Sequence, residues 1–168
     1  MNRYYQGILC CCLSLLLYGN AAAQSPPQPP RPIAIYVNPA QGLIFGAFFQ
    51  GIAGGTVIVY PDGTRSVTGD IVQANLGMPY SPAIFEIEAQ AGTLISILNG
   101  PDVTLHGSNG GAIILRVGTS STGSPFITTV APPGRTQVRV GGILTVGSPL
   151  ANPPGAYSGT FSVTFIQE

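Results

Sequence analysis

The sequence predicts an all-β protein, an antiparallel β-sandwich of about nine strands built by one domain over residues 33–168. Three observations carry this. Short runs rich in Val, Ile, Thr, Tyr and Phe, many alternating with Ser or Thr, are separated by Gly, Pro, Asn and Asp at intervals of roughly ten residues. No stretch after residue 24 repeats its apolar positions with a helical period. Glycine and proline, 23 and 16 of 168 residues, make nearly a quarter of the chain, and helix interiors tolerate neither well.

Residues 1–23 read as a signal peptide that is removed. Arg3 gives a positive start, Ile8 to Tyr18 is apolar except for Ser14, and Ala21-Ala22-Ala23 offers the small residues a signal peptidase accepts, so cleavage is expected before Gln24. The apolar run is shorter than the roughly 20 residues a bilayer-spanning helix takes, so no membrane span is expected after cleavage. All three cysteines, Cys10, Cys11 and Cys12, lie in this leader. The small-residue cleavage region follows them, which argues against lipid attachment there. From Gln24 onward the chain therefore offers no disulfide framework, thiol nucleophile or cysteine metal site. Residues 24–32, QSPPQPPRP, hold five prolines; fixed φ and missing N–H groups favour an extended polyproline II spacer.

The strands follow in order. Ile33, Ile35 and Val37 alternate with Ala34 and Tyr36. Gly54-Gly55 opens Thr56–Tyr60, and Pro61-Asp62-Gly63 turns the chain into Thr64–Val67. Across Ala83–Ala89, Phe85, Ile87 and Ala89 take one face while Glu86 and Glu88 take the other. Thr93–Leu98 is followed by an Asn99-Gly100-Pro101-Asp102 turn and by Val103–Leu105. Ala112–Val117 is almost continuously apolar, and Gly118–Pro125 reads as a loop. Thr136–Val140 and Ile143–Val146 flank Gly141-Gly142. Finally Ala156–Ile166 sets Tyr157, Phe161, Val163 and Phe165 against Ser158, Thr160, Ser162 and Thr164. The expected wet faces are Ser and Thr with few charges.

Composition excludes several functions. Six arginines, no lysine and six acids give no basic patch, so nucleic acid is not an expected partner. A 45% hydrophobic content excludes an acidic disordered chain. One histidine and no cysteine beyond the leader leave only carboxylates to complete a zinc site, and Asp62, Asp70 and Asp102 are too scattered for a calcium loop. Ser108-Asn109-Gly110-Gly111 precedes no helix and carries no lysine, so it reads as a turn and not as a phosphate cradle. Glu86 and Glu88 stand about 7 Å apart by strand rise, within glycosidase range, yet lie opposite Phe85 and Ile87 as a solvent-facing pair would. His106 ends a strand with Asp102 about 13 Å away, too far to orient it as a base. Tyr36, Tyr60 and Tyr157 fit core or corner positions, whereas Tyr80, between Pro79 and Ser81-Pro82, is the expected exposed aromatic. The expectation is a non-enzymatic protein with no catalytic residue, cofactor or metal.

Several segments resemble a family. Leu43-Ile44-Phe45-Gly46-Ala47-Phe48, Gly54-Gly55-Thr56-Val57 with Pro61-Asp62-Gly63-Thr64-Arg65, Ala83–Ile87, Val140–Gly147 and Pro154–Phe161 are similar to successive strands of the bacterial secreted domain of unknown function 4402. That family is similar in turn to spore-coat-U-type and other fimbrial subunits. The resemblance spans residues 32–166 and implies an immunoglobulin-like sandwich, secreted to the periplasm or outer surface of a Gram-negative bacterium. It also implies a structural or adhesive role, with other surface or fimbrial subunits as partners through strand addition. A donated strand needs alternating apolar residues with free N–H groups, and the proline-rich extension lacks them. Only Pro32–Val37 could serve, and it reads as the domain's own first strand. A monomeric extracellular glycan- or matrix-binding module is the alternative, with Tyr80 as its aromatic.

Overall fold

In the computed structural model, which describes residues 31–37 and 41–168, the alternating segments form eleven strands. The signal peptide, its cysteines and the spacer up to Pro30 lie outside the described residues. The strands are β1 (Ala34–Val37), β2 (Phe48–Val59), β3 (Arg65–Gln73), β4 (Ala83–Glu88), β5 (Leu94–Asn99), β6 (Val103–Gly107), β7 (Ala112–Ser120), β8 (Phe126–Ile127), β9 (Thr136–Val146), β10 (Tyr157–Ser158) and β11 (Val163–Gln167). The count exceeds the expected nine because β8, a two-residue strand, leaves no pattern and the last expected strand divides into β10 and β11. Every strand pairing is antiparallel. Eight strands make one sheet, and β11-β5-β8 make a second.

The spine of the large sheet is β9. Its first half, Thr136–Val140, pairs with β4, and its second half, Gly142–Val146, pairs with β2. The opposite edge of β9 pairs with β7 from Val140 to Thr145. The two segments expected on either side of Gly141-Gly142 are therefore one strand. The glycines do not interrupt it; they mark where one neighbour gives way to the next. A Cβ on Gly141 would collide with the Val59 carbonyl oxygen at the end of β2. β2 likewise runs through Gly54-Gly55 instead of beginning after it. The register slips between Gln50 and Gly55, and Gly54 sits at φ +70°, the left-handed region that a bulge demands of glycine. The hairpin bends sharply there: Gln73 Nε2 reaches back to donate to Arg65 O at 3.3 Å, although the two residues bound the same strand. Similarly, β7 continues past Val117 through an irregularity to Ser120, where a loop had been expected.

The turn expected at Pro61-Asp62-Gly63 is present. Gly63 N donates to Tyr60 O at 3.0 Å, and the Asp62 carboxylate accepts from both Thr64 N (2.8 Å) and Thr64 Oγ1 (2.7 Å). The last expected strand is broken in two. β10 pairs with β6 in the large sheet, the chain crosses at Gly159–Ser162, and β11 joins β5 in the small one. The face assignment holds through the crossing: Tyr157 and Phe161 pack on one apolar cluster, and Phe161, Val163 and Phe165 on the other.

Two clusters fill the interior. The first joins both sheets: Phe85, Ile87, Val138 and Val140 of the large sheet meet Ile95, Phe126 and Phe165 of the small one. This is the packing of a β-sandwich. The second gathers Val57, Val59, Ile71, Leu105, Ile113, Leu115, Leu144 and Val146, all from the large sheet, which curls at the bent β2–β3 hairpin to cover its own face. Phe45 completes it, with Leu43 and Phe161 packed against both clusters. Leu43–Phe48, expected as an opening strand, is instead a plug that becomes strand only at Phe48. Ile44 makes one bridge to Ser81, and Arg65 Nη1 donates to the carbonyls of Phe45 (2.8 Å) and Ala47 (3.1 Å). Spending its carbonyls on a side chain leaves this segment fewer to offer a neighbouring strand.

Candidate functional site

The polar residues singled out in the sequence do not converge. Glu86 and Glu88 lie on the outer face of β4, as their alternation with Phe85 and Ile87 requires. Arg135, just before β9, takes up both carboxylates, with Nη1 2.9 Å from Glu86 and Nε 3.9 Å from Glu88. The same guanidinium stacks 3.6 Å above the Tyr36 ring, and Tyr36 Oη donates to Glu88 at 3.4 Å. The hydrogen bond to Glu86 holds Arg135 more firmly protonated than an isolated arginine. The arrangement ties edge strand β1 to its neighbour β4. His106 sits exposed on β6 beside Ala112 and Ser158. Asp102 turns the other way, onto Arg116, with bonds of 3.1 and 3.0 Å.

That exposed pair gives a pH prediction. The hydrogen bond from Arg116 lowers the Asp102 pKa below its ordinary 3.8. A depressed carboxylate contributes its stability fully above the unfolded value and loses it as pH falls through the folded one. Asp102→Asn should therefore melt slightly below wild type at pH 7, with the gap closing below pH 3.8 in a pH series of thermal melts. A gap that widens on acidification would contradict the assignment.

Tyr80 is exposed as expected, but one face of its ring lies under Arg65, whose Cζ is 4.5 Å from the centroid. It therefore offers a single face, and it is not singular, because Tyr36 and Tyr60, expected at core or corner positions, are as exposed as Tyr80. Tyr157 is half-buried and donates to Pro153 O at 2.7 Å. Among the described residues no three His, Cys, Asp or Glu side chains gather as metal ligands.

The feature that does stand out is an open margin of the sandwich, which no single residue in the sequence announces. Ile35 and Val37 pair with Ile87 and Phe85, so they share the inward face of the large sheet. Ile87 is 1% exposed and Phe85 8%, whereas Ile35 is 43% and Val37 60% exposed. The cause lies in the small sheet. Phe165 of β11 packs under Phe85 with ring centroids 5.4 Å apart, so β11 lies beneath β4. Among the described residues, β11 pairs only with β5, and no strand lies beneath β1. The N–H of Gly100 bonds to Ser162 O and that of Glu168 to Leu94 O. Antiparallel alternation then turns the backbone groups of Val163, Phe165 and Gln167 toward the free edge. The margin thus combines an unpaired strand edge with two uncovered apolar side chains.

Comparison with known proteins adds the family. No curated protein and no solved structure matches the chain. The family model described as domain of unknown function (DUF4402) matches residues 35–166, from β1 to the penultimate residue of β11, and thus covers the whole sandwich. The chain therefore belongs to the family of domain of unknown function 4402.

Proposed function

We propose that this protein is a secreted, non-enzymatic structural or adhesive module of the bacterial surface, an immunoglobulin-like subunit that accepts a strand from a neighbour. The observation that carries this reading is the open margin, where β11 offers free backbone groups beside the uncovered Ile35 and Val37. Strand addition satisfies such an edge while alternate side chains of the incoming strand fill the groove. The one segment able to act as a donor is already used within the chain, since Ala34–Val37 pairs with Glu88–Phe85 as β1. This favours a subunit that accepts without giving, at one end of an assembly. The leader and spacer suit export to the periplasm or outer surface.

The test is gel electrophoresis in detergent of the native cell-envelope protein, unheated against boiled. Donated strands dissociate extremely slowly, so a species larger than the monomer that collapses on boiling supports the reading. A monomer in both lanes sinks it. The half-exposed Tyr80 favours the second reading, a monomeric glycan- or matrix-binding module, and silence on a glycan array would count against that one.

A further inference from the structure

We propose that Asn109 is a self-modifying site: the backbone nitrogen of Gly110 displaces its side-chain amide, and the product unfastens β10 from β6. The reaction needs no partner and is independent of strand addition at the open margin.

The chemistry is that of an asparagine followed by a glycine. The Gly110 nitrogen attacks Asn109 Cγ, and the new N–Cγ bond closes a five-membered imide. The Cγ–Nδ2 bond breaks, and ammonia leaves with the proton from Gly110 N. Water then opens the ring, at the side-chain carbonyl to give aspartate or at the backbone carbonyl to give isoaspartate. The net change consumes one water and releases one ammonia, with no oxidant or reductant.

The sequence holds two Asn-Gly pairs, and the fold treats them differently. At Asn99-Gly100 the nucleophile is held in the sandwich. Gly100 N donates to Ser162 O at 2.9 Å, Asn99 pairs with Val163, and Asn99 Nδ2 donates to Gly118 O at 2.8 Å. A Cβ on Gly100 would run into Ser162, so the approach to that residue is closed. Attack there requires β5 to part from β11. Asn109-Gly110 lies in the turn between β6 and β7, where both residues are exposed. A Cβ on Gly110 would meet nothing within 4 Å. The Gly110 N–H is engaged only inside the turn, by Gly107 O at 3.1 Å. Opening this turn leaves the sandwich paired, and local openings cost less than the separation of core strands.

The consequence follows from what the Asn109 amide holds. Its Nδ2 donates to Pro154 O at 2.7 Å. Beside it, Ser108 N donates to Ala156 O at 2.8 Å, and Ala156 N donates to Ser108 Oγ at 3.2 Å. β10 follows directly and has only two pairs, Tyr157 with Gly107 and Ser158 with His106. A carboxylate at position 109 has no hydrogen to donate, and it sets a negative charge against the Pro154 carbonyl oxygen. Isoaspartate also lengthens the main chain of a turn closed from Gly107 N to Gly111 O and from Gly110 N to Gly107 O. Either product loosens Pro154–Ala156 and, with it, the entry to β10.

Incubation of the purified chain in mildly alkaline buffer, followed by mass spectrometry with peptide fragmentation, tests the reaction. Asn109 should convert to aspartate and isoaspartate, with Asn99 slower by about tenfold or more. Unfolding the chain in urea beforehand should erase the difference, since both pairs are then free. Hydrogen exchange reads the consequence. The Ser108 and Ala156 amides should exchange about tenfold faster or more in the aged protein, while the Gly100 amide stays protected. Asn109→Asp should reproduce that change in fresh protein. Asn109→Gln, whose longer side chain closes a ring far more slowly, should leave position 109 unmodified on ageing. Asn99 converting as fast as Asn109 in the folded chain would overturn the proposal. So would an Asn109 that stays intact while the unfolded chain converts, or exchange at Ser108 and Ala156 that does not change.

Discussion

Phe165→Asp is expected to leave no folded domain. Phe165 is 7% exposed and packs against Phe85, at the point where the small sheet meets the large one. A carboxylate there has no cation within the first cluster, whose members are all apolar. Burying an unpaired carboxylate in place of a packed ring costs several kcal/mol even once it protonates, comparable with the whole stability of a typical domain, about 5–15 kcal/mol. The readout is the yield of soluble protein together with the near-ultraviolet signal of the aromatic residues. Phe165→Ala keeps the test quantitative, with an expected loss of about 3–5 kcal/mol in urea denaturation. Phe161→Asp should behave like Phe165→Asp, because Phe161 packs against both clusters as the chain crosses between sheets. Normal yield and stability of either aspartate variant would mean that the last strand does not close the sandwich.

Those aromatic positions were legible in the sequence because period-two alternation needs only local information. Ala83–Ala89 shows the same: Phe85 and Ile87 point inward, Glu86 and Glu88 outward, as their order dictates. Strand lengths were less legible, for one physical reason. Glycine pairs are punctuation in a sequence, yet in this fold they sit inside strands. Gly54-Gly55 lets the β2–β3 hairpin bend over its own core, and Gly141-Gly142 lets β9 exchange β4 for β2. In both places the deciding atoms belong to distant segments. The Val146 and Gly147 carbonyls crowd Gly54, and the Val59 carbonyl crowds Gly141. No local pattern carries that information.

The open margin was hidden for a related reason. Ile35 and Val37 have the alternation of buried residues, and their pairing with Ile87 and Phe85 makes them face inward. What exposes them is the narrowness of the opposite sheet, which depends on β10 and β11 being divided between two sheets. The ion cluster of Tyr36, Glu86, Glu88 and Arg135 was half legible. Two glutamates on a wet face were evident, but the guanidinium that takes them up enters from a turn some fifty residues later.

Gly141→Ala should cost about 3 kcal/mol, a large effect for one methyl group. The added Cβ would overlap the Val59 carbonyl oxygen and stand 3.1 Å from Pro61 Cδ. Neither is the flexible end of a side chain, so relief requires moving backbone where β2 leaves β9, and overpacking of this kind costs about 1–3 kcal/mol or more. Two other glycines separate this cause from a general penalty. Gly142→Ala meets Leu43 Cδ2 at 2.6 Å, the far end of a side chain, with its nearest backbone atom, Arg116 O, at 3.3 Å, so a smaller loss is expected than at Gly141. Gly63→Ala meets nothing, and its φ of +88° alone should cost about 1 kcal/mol. Urea denaturation of the three variants should therefore rank Gly141→Ala as the most damaging. Equal losses at Gly141 and Gly63 would show that β9 is not pressed between its two successive neighbours, and that the glycine pair divides two strands after all.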